Sequence, residues 1–284
     1  MNLSRYFRRI RKKNKLRNYV SNTENLTFLD RHLKNSKIIA IDTEFDWRTT
    51  YFPVLSLIQI STIDMVFVID CLHVNPEKIL RKYLEGKDIL KIFHSARSDT
   101  TVLSKCLKIH TENTYDIQIA EKLLLGEIQS YAKIVDNYFG TFLNKSETNS
   151  NWLRRPLSEN QIKYAFNDVD YLIEVFSLQK KKLLKQNLLS KTFNLSEKES
   201  ILGNKPLKST RLERIKNKLS DKSIKVFLWR EKIAEEKNVP PSFIFKDKYI
   251  SKLSKINKNN NDTKRKVMTI IGDSELTENF ILSI

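Results

Sequence analysis

The 284-residue chain is 40% hydrophobic and carries a formal net charge of +18. That apolar share supports a sizeable core and excludes a disordered chain, while the longest apolar runs, such as MVFVI at 65–69, are far too short to cross a bilayer. The two cysteines, Cys71 and Cys106, form no CxxC pattern and the four histidines no HExxH pair, so neither a disulfide framework nor a thiolate zinc site is indicated and a reducing cytoplasm fits.

Residues 1–19 hold Arg5, Arg8, Arg9, Arg11, Lys12, Lys13, Lys15 and Arg17 with no acid. They read as a basic arm, taken as 1–21, with an organellar transit peptide as the alternative. KIIAID (37–42), SLIQIS (56–61), MVFVID (65–70) and ILKIFH (89–94) are predicted strands. Helical patterns begin near 76 and cover 97–107, and YDIQIAEKLLL (115–125) also reads as helix. Three strands close in sequence followed by strand–helix alternation predict an α/β fold, a mixed β-sheet flanked by helices. The clearest helix starts at Ser158, which stands at capping-box spacing from Gln161. Ile162, Phe166, Val169, Ile173 and Phe176 give it one apolar stripe to about 186.

Polar, basic residues 203–222 predict a linker after a catalytic-sized domain at 22–202. Helical patterning over 223–284 predicts a small all-α domain, with a loop at KINKNNNDTKRK (255–266) and a short helix from about 274. Residues 201–284 carry 19 Lys or Arg against 10 Asp or Glu. A near-neutral body between two basic ends is the layout of a nucleic-acid binder; a solvated lysine-rich surface is the plainer alternative.

Four carboxylates and a phenol stand out. Alternation in a strand puts Asp42 and Glu44 on one face, Asp99 follows a strand at a helix start, and Tyr164 and Asp168 lie one helical turn apart. Ionised carboxylates buried together cost several kcal/mol each unless protons or cations compensate. Oxygen-only sites suit Mg²⁺ or Mn²⁺, and two such ions about 3.5–4 Å apart can hold an attacking water and a leaving oxygen across a phosphodiester. Tyr164 is placed to orient or deprotonate that water. Singly, these residues have ordinary readings as a strand end, a structural tyrosine and a helix cap; their joint order carries the signal.

IDTEF, FHSARSD and YAFND resemble the three exonuclease motifs of the DEDD superfamily, in the subclass with a tyrosine in the third motif. DTEFDWRTTYFPVLSLIQI, YDIQIA, SYAKIV and KSETNSNWLRRPLSENQIKYAFNDVDYL are similar to ribonuclease D over about residues 22–190. The resemblance implies a ribonuclease H-like exonuclease fold and metal-dependent 3′→5′ removal of nucleotides from RNA, tRNA precursors among the substrates, and it points to no protein partner. It implies two divalent cations on Asp42, Glu44, Asp99 and Asp168, and a water positioned by Tyr164. It also places Phe45 near the terminal base, with a plain core phenylalanine as the alternative, and Lys145 and Arg155 near the RNA backbone, with surface salt bridges as the plainer reading. Two departures leave these ligands intact: Asp116-Ile117-Gln118 where the family often has Asp-Thr-Gln, and Asn151-Trp152 where it has Asp-Trp. Further along, Trp229-Arg230-Glu231, Pro240-Pro241 and Asp247 resemble the helical HRDC module, with room for one copy. The alternatives to an exoribonuclease are a single-strand DNA exonuclease and a non-catalytic nucleic-acid-binding protein.

Overall fold

The computed structural model describes residues 14–257, 260 and 262–283. Most of the expected basic arm lies outside the described residues. The described chain forms two compact units, one of residues up to Asp46 with Val54–Asn204, the other of Trp47–Pro53 with Lys205 onward.

The first unit is built on six strands: β1 (Leu16–Val20), β2 (Ile38–Asp46), β3 (Val54–Ser61), β4 (Met65–Asp70), β5 (Leu90–Phe93) and β6 (Thr114–Asp116). Their order is β1-β4-β3-β2-β5-β6. β2, β3 and β4 pair antiparallel, whereas β1 on β4, β5 on β2 and β6 on β5 are parallel, so the sheet is mixed as expected. β2 to β5 are the four predicted strands, and they read as apolar runs because both faces are covered. On one face Ile39, Ile41, Ile58, Ile60 and Phe67 share a core with α1 (Thr23–Leu33), α2 (Glu77–Leu84) and α3 (Arg97–Leu107). On the other, Ala40, Leu57, Val68 and Ile92 pack with α4 (Ile117–Leu125), α5 (Tyr131–Phe139), α6 (Glu159–Asp170) and α7 (Leu172–Lys185).

Three expectations for this unit differ from the structure. Residues 16–20, placed in the arm, are an edge strand, and Lys15 is buried beside it, its ammonium on Ser61 Oγ (2.9 Å), the Asp170 carbonyl (3.0 Å) and Glu174 (3.2 Å). Within the helical reading of 115–125, Asp116 closes β6 and its side chain caps α4 by accepting from the Gln118 N–H. The single helix expected over 158–186 is two helices, broken at Tyr171 (φ −108°, ψ −6°); its capping box at Ser158 and Gln161 is present.

α8 (Leu189–Asn204) closes the first unit against α3. A Cβ on Gly203 would overlap Thr100 Oγ1 and crowd the Arg97 carbonyl, so only glycine permits that approach. The expected linker is largely helical: α9 (Leu207–Ile215) and a 3₁₀ turn join the second unit, because Leu207, Leu212 and Ile215 enter its core. That unit continues as α10 (Asp221–Lys237), α11 (Pro241–Ile244), α12 (Ile250–Leu253), α13 (Thr263–Ile271), which starts inside the expected loop, and α14 (Ser274–Ser283). Trp47, Tyr51 and Phe52 belong to the same core. Tyr51 is fully buried, and its hydroxyl donates to Glu231 (3.1 Å), which also pairs with Arg211 (2.9 Å). No helix of the described residues is long and apolar enough to cross a membrane.

Candidate active site

β2 turns two acids toward α6 and the residue between them toward α3. Asp42 and Glu44 follow Ala40 by alternation onto the face covered by α6, while Thr43 falls on the opposite face. Their register against β3 slips between Glu44 and Phe45, a bulge that ends regular pairing just past the acids. β5 runs parallel to β2, so the chain leaving it starts α3 at the same end of the sheet, with Asp99 in the first turn. Asp116 secures that start, its carboxylate accepting from the Ser95 N–H (3.0 Å) and the Ala96 N–H (2.8 Å).

One carboxylate oxygen from each of Asp42, Glu44 and Asp168 lies within 4.8 Å of the other two. Asp99 is 4% exposed, and its Oδ1 accepts from Thr43 Oγ1 at 2.7 Å. Among the described residues no Lys or Arg ion-pairs with any of the four. Burial pushes all four carboxyls upward, and each is pushed further by a neighbouring acid: Asp42 by Asp168, Asp99 by Asp42, Asp168 by Asp99. Glu44 is pushed up to about 10 by burial, then by Asp42, Asp168 and Asp99. An all-oxygen donor set with clustered charge and no internal counter-ion fits a hard divalent cation.

Tyr164 is half-buried one turn before Asp168. Its ring lies 5.9 Å from that of Trp152 and its hydroxyl 3.3 Å from Thr148 Oγ1. Burial, then the Asp168 charge, pushes its phenol above the usual range.

The other expected residues are held by local contacts. Phe45 packs at the edge of the core under α1 to α3. Lys145 is exposed and donates to Ser130 Oγ at 3.0 Å. Arg155 grips Asp70 with two bonds of 2.7 Å and donates also to the Trp152 carbonyl (2.7 Å) and Ser56 Oγ (3.1 Å). Burial alone would raise the Asp70 carboxyl, but hydrogen bonds from Arg155, Tyr19 and His73 outweigh it and bring it to about 2. The geometry thus commits the guanidinium to holding β4 to the 152–155 segment. Sequence reading passed over Thr43 and Asp116 as supports of the Asp99 region. The available signals were Thr43's place between two acids and Asp116's place in the Asp-Ile-Gln segment.

The family model for the 3′-5′ exonuclease domain matches residues 18–184, and that for the HRDC domain residues 225–264. The sheet, its helices and the acidic cluster define a ribonuclease H-like 3′-5′ exonuclease domain, followed by a helical HRDC region. Ribonuclease D of Desulfotalea psychrophila is 33% identical over 256 residues, covering 85% of this chain and 67% of the relative. That of Bartonella henselae is 30% identical, covering 89% and 63%. The chain thus spans about two thirds of the length of these relatives. The crystal structure of Escherichia coli RNase D, an exoribonuclease involved in structured RNA processing, has the same fold, with a TM-score of 0.78 and 22% identity over 94% of this chain and 75% of that one. The chain belongs to the ribonuclease D family of 3′-5′ exoribonucleases.

Proposed function

We propose that this protein shortens structured RNA from the 3′ end, tRNA precursors among its substrates, with Asp42, Glu44, Asp99 and Asp168 holding two divalent cations, Mg²⁺ or Mn²⁺. The observation that carries this reading is the convergence of three carboxylate oxygens within 4.8 Å with no Lys or Arg partner among the described residues. Bound there, divalent ions lower the pKa of an attacking water and offset charge on the leaving oxygen. Tyr164, whose phenol is pushed upward and so keeps its proton, orients the water as a hydrogen-bond partner. Phe45, the residue after Glu44, is proposed as the surface for the terminal base, and exposed Lys145 as a backbone contact. Arg155 ties β4 to the 152–155 segment through Asp70. The basic residues beyond 200 add phosphate affinity without sequence choice. Both cysteines are thiols, which supports a reaction in the reducing cytoplasm.

The test offers purified protein a 5′-labelled, 3′-extended tRNA and a single-stranded DNA of equal length, with Mg²⁺ or with chelator. Stepwise shortening of the RNA only with metal is expected. Preferential shortening of DNA would reassign the substrate, and no shortening of either would leave a nucleic-acid-binding protein.

A further inference from the structure

Between α6 and α7 a side chain from α5 enters the helical ladder. In an unbroken helix the Tyr171 N–H would donate to the Asn167 carbonyl. Here that N–H donates to the Tyr131 hydroxyl at 3.1 Å, and the hydroxyl in turn donates to the Asn167 carbonyl at 3.2 Å. The acceptor that the Tyr171 N–H finds in its own helix is the Val169 carbonyl. The ladder resumes with Val175 N–H on the Tyr171 carbonyl at 2.9 Å. A side chain inserted between i and i−4 groups is a recognised cause of a bend. Asp168 lies inside the opened turn.

We propose that Tyr131 is a positioning residue: by opening the 167–171 turn, its hydroxyl sets the direction in which Asp168 presents its carboxylate to Asp42 and Glu44. The inference rests on the reading of Asp168 as a metal ligand. The phenol is well fixed for the task. Tyr131 is the first residue of α5, whose N-cap Ser130 accepts from the Lys133 N–H, and its ring lies 5.9 Å from that of His94. A phenol carries both donor and acceptor at the end of a stiff arm, as the two helix groups require. Packing alone does not call for the hydroxyl, since phenylalanine fills nearly the same space. Nor does hydrogen-bond satisfaction, since without it the two backbone groups can close on each other. What the hydroxyl adds is the bend.

The test is Tyr131→Phe, with Mn²⁺ binding measured by calorimetry on the RNA-free protein and with steady-state kinetics on RNA. Expected are Mn²⁺ affinity weakened roughly three- to tenfold, the equivalent of about one net hydrogen bond, lower kcat at limiting Mn²⁺, and an unchanged KM for RNA. Wild-type Mn²⁺ affinity in the folded variant would overturn the inference, even if its melting temperature fell. A second variant places para-aminophenylalanine at 131, returning a polar group at the same reach; recovered affinity supports the bend, and affinity equal to Tyr131→Phe overturns it. Asp168→Asn separates the two levels of the argument. If it binds Mn²⁺ normally, the reading of the site fails. If it loses Mn²⁺ while Tyr131→Phe keeps it, only the role of Tyr131 fails.

Discussion

Replacing Asp42 with Asn removes one of three carboxylates whose oxygens lie within 4.8 Å of one another. At that separation each like-charged pair costs about 3 kcal/mol at an effective dielectric constant near 20, and about 1 kcal/mol in water. Asp42 faces two such partners, Glu44 and Asp168, but the raised pKa values mean that protons already relieve part of the cost near neutral pH. A net relief of about 1–3 kcal/mol follows. The sign is set by linkage: a carboxyl raised on folding favours the fold at low pH, and that contribution is lost as pH climbs from the unfolded value toward the folded one. Asn removes this loss. Melting of metal-free Asp42→Asn in chelator at pH 7 should therefore lie above wild type by several degrees, at about 2–4 °C per kcal/mol. Excess Mn²⁺ should raise the wild-type midpoint by mass action and leave the variant little changed. A lower midpoint in chelator, or an equal Mn²⁺ response, would mean that these carboxylates neither repel one another in the metal-free fold nor share a cation.

Arg155→Ala strips the partner from a buried carboxylate and should destabilise the fold by about 3–5 kcal/mol with the KM for RNA retained; urea titration and kinetics check it, and an elevated KM at unchanged stability would make Arg155 an RNA contact. Asp70, held at about 2 instead of 3.8, contributes stability above the unfolded pKa that is lost as pH falls through the folded one, about 2 kcal/mol between pH 5 and pH 1. The wild-type protein should show that acid limb in urea titrations, and Arg155→Ala should lose most of it. Gly203→Ala forces a methyl against Thr100 Oγ1 and the Arg97 carbonyl and should cost about 1–3 kcal/mol; a thermal midpoint equal to wild type would show that α3 and α8 separate freely. Lys218, Lys222 and Lys255 line a cavity of about 490 Å³ with Ser220, Ser223, Ser251 and Ser254. Changing the three lysines to Ala should reduce the salt slope of RNA binding by about 2, and an identical slope would remove this face from the RNA contact.

The central strands were legible because burial on both faces forces long apolar runs, and the acids because alternation across Thr43 is a local pattern. β1 and β6 were not: LRNYV and TYD are short edge strands whose identity comes from parallel pairing with distant chain. The helix break at Tyr171 carries no proline or glycine; its cause is a phenol 40 residues earlier. Thr43 meets Asp99 across 56 residues, a link no local pattern contains. Trp47, Tyr51 and Phe52 looked like part of the catalytic domain, yet their rings find core partners beyond residue 205. The sequence order of the acids picked out Asp42, Glu44 and Asp168, which the fold brings together; the side chains packed around them came only with the fold.

The most direct measurement is an anomalous difference map from crystals of the wild-type protein soaked in Mn²⁺. Two peaks about 3.5–4 Å apart are expected among Asp42, Glu44, Asp99 and Asp168. A map with no peak at these four carboxylates, in crystals of protein that shortens RNA, would contradict that expectation.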